Sequence, residues 1–569
     1  MRSRKALGIA VFTAVAAAVA GTAQSAVAAK VPKPKIQVLS NRADLVSGGD
    51  ALVRIAGVRS TKGLRVTVAG KKVTKAFTKG SDGTIEGLVT GLKLGKSAIV
   101  ASQGGGAAKL IVTNHPIGGP VFSGPQLSPW KCQATATDAQ CNQPTTYSYL
   151  YKSTDTTKSG FQSYDPKSPP SDVTTTTTDG GVTVPFIIRL EKGYIDRDQY
   201  QIATLFDPAK PWTAASPQKQ FDHKLLITHG AGCGADHQPG GAPSVTDSSP
   251  LSGSGASAAE AALGRGFAVM SNALDNAGHN CNVVSEAEAL LMTKERVIEQ
   301  YGTLRYTIGT GCSGGSLAEQ WISNAYPGVY QGILPTCSFP DAWGTASQFL
   351  DYHLTLRYFQ NPASWGTGVA WSPTQEANVQ GHISIVNSQV SDNAQFHVVV
   401  PTDPCKGVTD QERYDPTSNP GGVRCTIQDA AINVFGPRLP SVWTAQEKQI
   451  GRGFAGIATD NVGVQYGLSA LRQGQITPAQ FVDLNEKIGG LSIDIQPTPG
   501  RISADRPALG RAYRSGMINE ANNLDETAII DCRGPDPGAF HDAYRAFAMR
   551  ARLDRANGGH ANQLIWEGP

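Results

Sequence analysis

Hydrophobic and polar positions alternate along the first part of the chain in short segments. The segments at 36–40, 51–55, 64–68, 97–101 and 109–113 are rich in Val, Ile and Leu, and Gly, Asp and Ser turns separate them. Such alternation is typical of strands with one buried face, and their regular spacing favours an all-β unit. We therefore predict a small immunoglobulin-like β-sandwich over residues 36–114, in which nothing points to catalysis.

A different pattern begins near residue 182, where more continuous apolar runs replace the alternation. Candidate strands occur at 182–190, 224–228, 267–271, 305–310 and 331–335, and helix-compatible segments lie at 284–301 and 317–322. Strands that alternate with helices are the signature of a parallel α/β sheet. The intervening residues 115–181, rich in Pro, Ser, Thr and Tyr, predict an irregular wrap or linker.

A long interval separates the strand at 331–335 from the next candidate strand at 527–530. Its Trp-rich and Asn/Pro-rich segments, with a helix-like stretch at 479–487, predict a cap over residues 343–525. The α/β core then comprises residues 182–342 and 526–569. A last strand-like run at 562–566 ends just before Pro569, which raises the hypothesis that the core is incomplete at its C-terminus.

The N-terminus has the pattern of a secretory signal peptide over residues 1–28. Arg2, Arg4 and Lys5 precede an apolar run, and Ala26-Val27-Ala28 is a small-residue cleavage pattern. The apolar run at 6–20 is shorter than the roughly 20 residues that span a bilayer. We expect an exported, secreted protein with no stable membrane insertion after cleavage.

Composition and charge narrow the function classes. Hydrophobic residues make up 40% of the 569 residues and charged residues 17%, which is enough for a sizeable core. The formal charge of +4 is too small and too mixed to indicate nucleic acid as a partner. No spacing of His, Asp, Glu or Cys matches a recognised metal site, so we expect neither a metal nor a cofactor.

Export changes the interpretation of the nine cysteines, because disulfides are the default outside the cell. Pairing of sequence neighbours would give the bonds 132–141, 233–281, 312–337 and 405–425, with Cys532 left over. Sequence alone does not fix connectivity, so this pairing is a hypothesis.

The candidate nucleophile is Ser313, in Gly311-Cys312-Ser313-Gly314-Gly315. This G-x-S-x-G pattern lies between a strand-like and a helix-like segment, which is where a nucleophile elbow needs small residues around a strained serine. Upstream, a strand runs into His229-Gly230-Ala231-Gly232, a turn of the kind that supplies oxyanion-hole amides. We expect Gly230 or Ala231, together with Gly314, to donate those amides, and His229 to shape the loop.

These motifs resemble the α/β-hydrolase superfamily over residues 182–569, and the Cys-Ser-x-Gly-Gly form is similar to the tannase and fungal feruloyl esterase group. The whole chain is also similar to long secreted bacterial hydrolase-like proteins. The resemblance implies an α/β-hydrolase sheet with a large cap insertion. In the tannase group the cysteine before the nucleophile is bonded to one after the catalytic histidine. This sequence departs from that pattern, because no histidine here is immediately followed by a cysteine.

The superfamily order of serine, acid and histidine selects Asp531 and His541 as the candidate acid and base. Asp531 follows the strand at 527–530, but a spacing of ten residues leaves no room for the usual helix and strand between acid and base. Asp341 or Asp403 are therefore alternative acids, and a base beyond Pro569 is an alternative to His541. The remaining histidines are interpreted as structural.

Four arginines follow or flank the candidate base: Arg533, Arg545, Arg550 and Arg552. They would suit an acidic substrate group, although we favour a solvated face of an amphipathic helix.

The chemistry that fits these residues is hydrolysis of a carboxylic ester through an acyl-enzyme, with a small or oligomeric ester as the binding partner. Polyester or hydroxyalkanoate oligomers and aromatic esters are the candidate substrates. Amide or peptide cleavage by the same triad is one alternative. A catalytically silent extracellular binding protein is another. The sequence leaves the oligomeric state open.

Overall fold

The computed structural model describes residues 33–80, 83–247, 258–534 and 540–568. The predicted signal peptide, residues 1–28, lies outside the described residues. In the part that is described, no helix combines the length and the apolar character needed to cross a membrane.

The first folded unit consists of short strands in two sheets. Its strands are β1 (Lys35–Val38), β2 (Val46–Ser47), β3 (Ala51–Ala56), β4 (Arg65–Val68), β5 (Lys71–Lys72), β6 (Phe77–Lys79), β7 (Ile85–Val89), β8 (Gly95–Gln103) and β9 (Gly106–His115). One sheet has the order β1-β3-β7-β6 and the other β2-β9-β8-β4-β5. Residues of β7 alternate between buried and partly exposed, as expected for a strand with one face on a core. Val53, Val66 and Ile99 belong to the core that the two sheets enclose.

The second unit begins with strands and helices that alternate. They are β10 (Thr146–Lys152), β11 (Phe161–Ser163), β12 (Thr175–Thr177), β13 (Thr183–Pro185), β14 (Ile187–Ile195), β15 (Asp198–Leu205), β16 (Lys224–Thr228), α1 (Ala259–Gly264), β17 (Phe267–Asn272), α2 (Val283–Tyr301), β18 (Tyr306–Cys312), α3 (Gly314–Ala325) and β19 (Gly332–Thr336). Strands β16 and β17 are buried along their whole length, as in a parallel sheet covered on both faces.

Residues 337–527 then form a separate, mainly helical region, which we call the insertion. Its elements are α4 (Ala342–Phe359), α5 (Pro373–Gln380), α6 (Val386–Gln395), α7 (Ile427–Ala430), α8 (Ile432–Phe435), α9 (Ala445–Ile450), α10 (Leu468–Arg472), α11 (Pro478–Lys487), β20 (Gly490–Leu491), β21 (Pro497–Thr498) and α12 (Arg506–Ser515). Leu354, Tyr358 and Leu484 form part of a small core of its own. The insertion therefore has its own packing as well as contacts with the sheet.

The chain returns to the sheet through β22 (Ala528–Arg533), α13 (Tyr544–Asn557) and β23 (Gln563–Glu567). The complete sheet has ten strands in the order β11-β10-β14-β15-β17-β16-β18-β19-β22-β23. Pairing is parallel from β17 to β23 and antiparallel from β11 to β17. The carboxyl ends of β16, β18, β19 and β22 consequently meet at one edge, where ligands bind in open α/β sheets.

The strands differ from the sequence prediction in several places, and β15 of the main sheet is one strand that was not predicted. The segment 115–181, predicted to be irregular, contributes β10 and β11 to the edge of the main sheet. The predicted strand at 182–190 is interrupted at Phe186, because β13 pairs with β12 in a separate ribbon while β14 enters the main sheet. Edge strands carry fewer apolar residues than central ones, so their hydrophobic signal is weak.

The disulfides follow the predicted pairing of sequence neighbours. The bonds are Cys132–Cys141, Cys233–Cys281, Cys312–Cys337 and Cys405–Cys425, and Cys532 is a free thiol.

Candidate active site

Ser313 lies at the turn between β18 and α3. Its backbone has φ 57° and ψ −115°, in the half of conformational space that non-glycine residues rarely adopt. The serine carbonyl accepts the amide of Leu317 at 3.0 Å, so the helix begins directly after the serine. A strained turn between a strand and a helix is the geometry expected of a nucleophile elbow, in which the hydroxyl lies above the carboxyl end of the sheet.

Close packing explains the glycines around Ser313. A Cβ on Gly311 would lie 2.6 Å from the Gly315 carbonyl carbon, and a Cβ on Gly315 would lie 2.9 Å from the His229 carbonyl oxygen. A Cβ on Gly314 would overlap the carbonyl oxygen of Gly232. The elbow and the 229–232 loop can therefore come together only where side chains are absent.

The structure brings His541 to the serine. His541 Nε2 lies 2.9 Å from Ser313 Oγ, within the range for proton transfer between a base and a nucleophile. The imidazole packs against Phe540 and against the edge of Phe339, with ring centroids 4.3 and 5.2 Å away. The structure thus places the candidate base beside the candidate nucleophile, and the catalytic role of His541 stays a prediction.

The surroundings of His541 favour its neutral form. Burial, followed by the positive charges of Arg545 and Arg533, lowers the pKa of His541 to about 4, against a smaller opposing effect of Asp542. A neutral imidazole can accept a proton, so the ring is available as a base at and below neutral pH.

Asp531 lies on β22 and is fully buried. Burial raises the pKa of Asp531 to about 6. The side chain of Ser338 opposes this effect of burial. In the part of the chain that the structure describes, no hydrogen bond joins the carboxylate of Asp531 to His541. The acid role of Asp531 stays a prediction.

The two alternative acids are placed elsewhere. Asp341 caps α4 by accepting the amide of Gly344, and it forms an ion pair with Arg552. Asp403 lies in a turn of the insertion, where its amide bonds to the carbonyl of Val400. Neither carboxylate forms an ion pair with His541 among the described residues.

The predicted oxyanion loop lies against the elbow. Gly314 is the first residue of α3, so its amide has no acceptor within the helix. His229 is buried: its Nε2 lies 2.7 Å from the hydroxyl of Tyr330, and its Nδ1 lies 3.2 Å from the carbonyl oxygen of Asp275. Burial lowers the pKa of His229 to about 4, which fits a neutral residue that shapes the loop. The donor roles of Gly230, Ala231 and Gly314 stay predictions.

The Cys312–Cys337 disulfide constrains the turn that contains Ser313. It joins the residue before Ser313 to the residue after β19. The tether therefore connects the elbow to the neighbouring strand, and the histidine loop is not part of it.

The arginines near His541 do not form a solvated helix face. Arg545 and Arg533 are each only 3% exposed. Arg545 lies over the ring of Phe339 at 4.1 Å and donates to the carbonyl of Phe540, while Arg533 donates to the carbonyl of His541. Charge patterning alone overstated their exposure, because backbone carbonyls and an aromatic ring replace water around them.

An apolar cavity of about 110 Å³ opens between α3 and the insertion. Its wall includes Leu317, one helical turn after Ser313, and Cys233, which follows the predicted oxyanion loop. No charged side chain lines it. Aromatic and aliphatic residues of the insertion complete the wall, among them Trp343, Phe349 and Phe396. These residues were not predicted, because no motif in the insertion indicates which side chains face the site.

The comparisons with known proteins agree with this architecture. Residues 36–569 match the model of the tannase-like family of unknown function, DUF6351. The chain belongs to this tannase-like family. The strand–elbow–helix geometry on a mainly parallel sheet gives this tannase-like chain an α/β-hydrolase fold. A search of curated proteins gives no match.

Solved structures similar to the tannase-like chain include feruloyl esterase B from Aspergillus oryzae, at 14% identity and a TM-score of 0.32, with 75% of this chain and 78% of that chain covered. Tannin acyl hydrolase from Aspergillus niger is similar at 12% identity and a TM-score of 0.27, with 74% and 77% covered. An α/β-hydrolase fold protein from Chitinophaga pinensis is similar at 11% identity and a TM-score of 0.24, with 67% and 88% covered.

Proposed function

We propose that this chain is an exported serine hydrolase that cleaves carboxylic esters, with Ser313 as nucleophile and His541 as base. The observation that supports it most is the 2.9 Å separation of His541 Nε2 and Ser313 Oγ at a strained elbow. A hydroxyl next to a neutral imidazole at this place in the fold is the arrangement that acyl transfer requires.

The proposed reaction has two halves. Ser313 Oγ attacks the ester carbonyl carbon as its proton passes to His541 Nε2, which gives a tetrahedral oxyanion. Collapse breaks the bond to the alcohol oxygen, which leaves with the proton from His541. Water then attacks the carbonyl carbon of the acyl-serine as its proton passes to His541 Nε2. Collapse breaks the bond to Ser313 Oγ, which regains the proton from His541, and the carboxylic acid leaves.

The amides of Gly314 and of Gly230 or Ala231 would stabilise the oxyanion, since they flank the elbow and the helix N-terminus favours negative charge. Asp531 is proposed as the acid that orients the imidazolium. This role requires its side chain or the His541 ring to move into contact when substrate binds, because catalytic hydrogen bonds often tighten only in the complex.

The cavity beside Leu317 supports an ester with a compact, uncharged acyl group. Its wall carries no charged side chain, and its volume of about 110 Å³ is smaller than the roughly 150 Å³ of an apolar cavity that accepts benzene. Esters of short hydroxyalkanoic acids fit these limits better than esters of aromatic acids or of long-chain acids.

The rest of the chain is proposed to serve an extracellular enzyme. The two-sheet unit at the N-terminus is interpreted as an immunoglobulin-like module, and the insertion as a cap over the site. Four disulfides suit an oxidising compartment.

A fluorophosphonate probe tests the proposal, because it reacts only with an activated serine. We expect the chain to be labelled and to hydrolyse short p-nitrophenyl esters, with both properties lost in Ser313→Ala and reduced by at least about 10³-fold in His541→Ala. Anilides of the same acids test for amidase activity, which we expect to be far weaker. Absence of labelling in the folded wild type would leave only a binding function.

A further inference from the structure

Asn387 of the insertion contacts both neighbours of His541. It lies on α6 and is 1% exposed. Its Oδ1 accepts the backbone amide of Phe540 at 3.2 Å, and its Nδ2 donates to Asp542 Oδ2 at 2.5 Å. One side-chain amide therefore holds the chain immediately before and immediately after the candidate base.

The orientation of the Asn387 amide follows from its partners. A backbone amide can only donate, so the atom facing the amide of Phe540 is the oxygen. The nitrogen then faces Asp542, and its second proton points to His382 Nδ1 at 3.0 Å. All the hydrogen-bonding capacity that Asn387 turns toward the loop is used, and replacement by a hydrophobic residue would leave a buried backbone amide without an acceptor.

The contacts of Asn387 with Phe540 and Asp542, which we call the clamp, hold a residue whose backbone conformation is unfavourable. Phe540 has φ 75°, a left-handed value that is unfavourable for an aromatic residue, so contacts must hold it there. Asn387 binds the amide of Phe540, while Arg545 Nε donates to its carbonyl at 3.0 Å. Arg533 donates to the carbonyl of His541 at 2.9 Å. Three elements thus fix the loop, and Asn387 is the contribution of the insertion.

We propose that Asn387 is a positioning residue for His541, so that the insertion aligns the base in addition to covering the site. This inference rests on the proposed function. Without the clamp, the strained Phe540 relaxes toward a commoner conformation and the imidazole turns away from Ser313. A shift of this kind lowers the turnover rate more than substrate affinity, since the Asn387 side chain points at the loop and does not line the apolar cavity.

Asn387→Ala is the direct test. We expect kcat with a short p-nitrophenyl ester to fall about 10- to 100-fold, KM to change less than twofold, and fluorophosphonate labelling to slow in parallel with kcat. Ser391→Ala is the matched control, because Ser391 is buried one turn along the same helix and its hydroxyl has no hydrogen-bond partner among the described residues. This control should keep wild-type kinetics.

Asn387→Asp adds a readout that general destabilisation does not produce. Its carboxyl would face Asp542 and His382, with Arg545 on the other side of the loop. When protonated, it can accept from Phe540 and donate to Asp542 as the amide does; when ionised, it repels Asp542. The ratio of its kcat to that of wild type should therefore rise at least threefold from pH 8 to pH 5, whereas the ratio for Asn387→Ala should stay flat.

The outcomes separate this inference from the proposed function. A wild type that is neither labelled nor active overturns both. A wild type that is active and dependent on Ser313, together with folded Asn387→Ala at more than half the wild-type kcat, overturns the positioning role alone. Equal losses in Asn387→Ala and Ser391→Ala, or a flat pH ratio for Asn387→Asp, also overturn it.

Discussion

At the scale of single residues, the site contains two ionisable groups whose surroundings shift their pKa values. Burial and two arginines hold His541 neutral, with a pKa of about 4, while burial alone raises the pKa of Asp531 to about 6. Between these two values His541 is already a base, but Asp531 is still mostly protonated. If an ionised Asp531 is needed to stabilise the imidazolium, its ionisation sets the lower limit of activity.

We therefore expect kcat/KM for a p-nitrophenyl ester to fall as pH decreases through about 6, because Asp531 becomes protonated there, and not near 4. Asp531→Asn should lower kcat by about 10²- to 10⁴-fold, the range seen when the acid of a triad is neutralised. A pH profile of both proteins measures this. If kcat/KM of the wild type fell near pH 4 instead, and Asp531→Asn kept a near-normal kcat, the acid would be a residue other than Asp531.

Ser313 and His541 could be selected from sequence because a motif and the chain order of a triad constrain them. Asn387 could not, since a buried asparagine on a polar helix carries no local signal, and its role depends on a loop more than a hundred residues away. The burial of Arg533 and Arg545 could not be predicted either. Their hydrogen-bond partners are backbone carbonyls, which every residue has, so no motif in the sequence indicates the contact.

At the scale of elements, the elbow depends on the contact between α3 and the 229–232 loop. Gly314 provides both the first helical amide and the space for the carbonyl of Gly232. Central strands and amphipathic helices such as α2 and α11 were predictable from their periodicity. Strand β10, next to the edge strand β11, was not, nor was β15, and neither was α6, whose sequence VNSQVSDNAQ is mainly polar.

Gly314→Ala should disrupt this contact, because its Cβ has no room against a rigid backbone. We expect kcat to fall more than about 100-fold, because the clash displaces the backbone amide at this position from the oxyanion, together with a lower melting temperature. Kinetics and thermal unfolding measure the two effects. Gly500→Ala is the control, since nothing lies within 4 Å of its Cβ position. Wild-type activity in Gly314→Ala would contradict the placement of the loop against the helix.

At the scale of the whole molecule, the N-terminal unit packs on α2. Leu52 of β3 meets Ile298 of α2 in a small shared core. Beside it, Glu295 accepts the amide and the hydroxyl of Ser47 at 3.1 and 2.7 Å. Burial raises the pKa of Glu295 and of Glu299, one turn further along α2. The contact between the two units therefore contains acidic groups that prefer to be protonated.

This preference makes the docking of the two units dependent on pH. A carboxyl with a raised pKa in the folded state binds its proton more tightly there than when unfolded, so its stabilising effect is complete below the unfolded pKa and is lost as pH rises through the folded one.

Glu299→Gln keeps the neutral form at every pH. It should unfold at a higher temperature than wild type at pH 8, by a free energy of about 1 kcal/mol or more, and with little difference near pH 4. Scanning calorimetry across this range measures it, with the exposed Glu520→Gln as control. Because Glu299 faces Ser40 and Asp50 of the N-terminal unit and is not among the residues proposed for catalysis, kcat should not change. A variant equal to wild type at pH 8 would mean that this contact holds no protonated carboxyl.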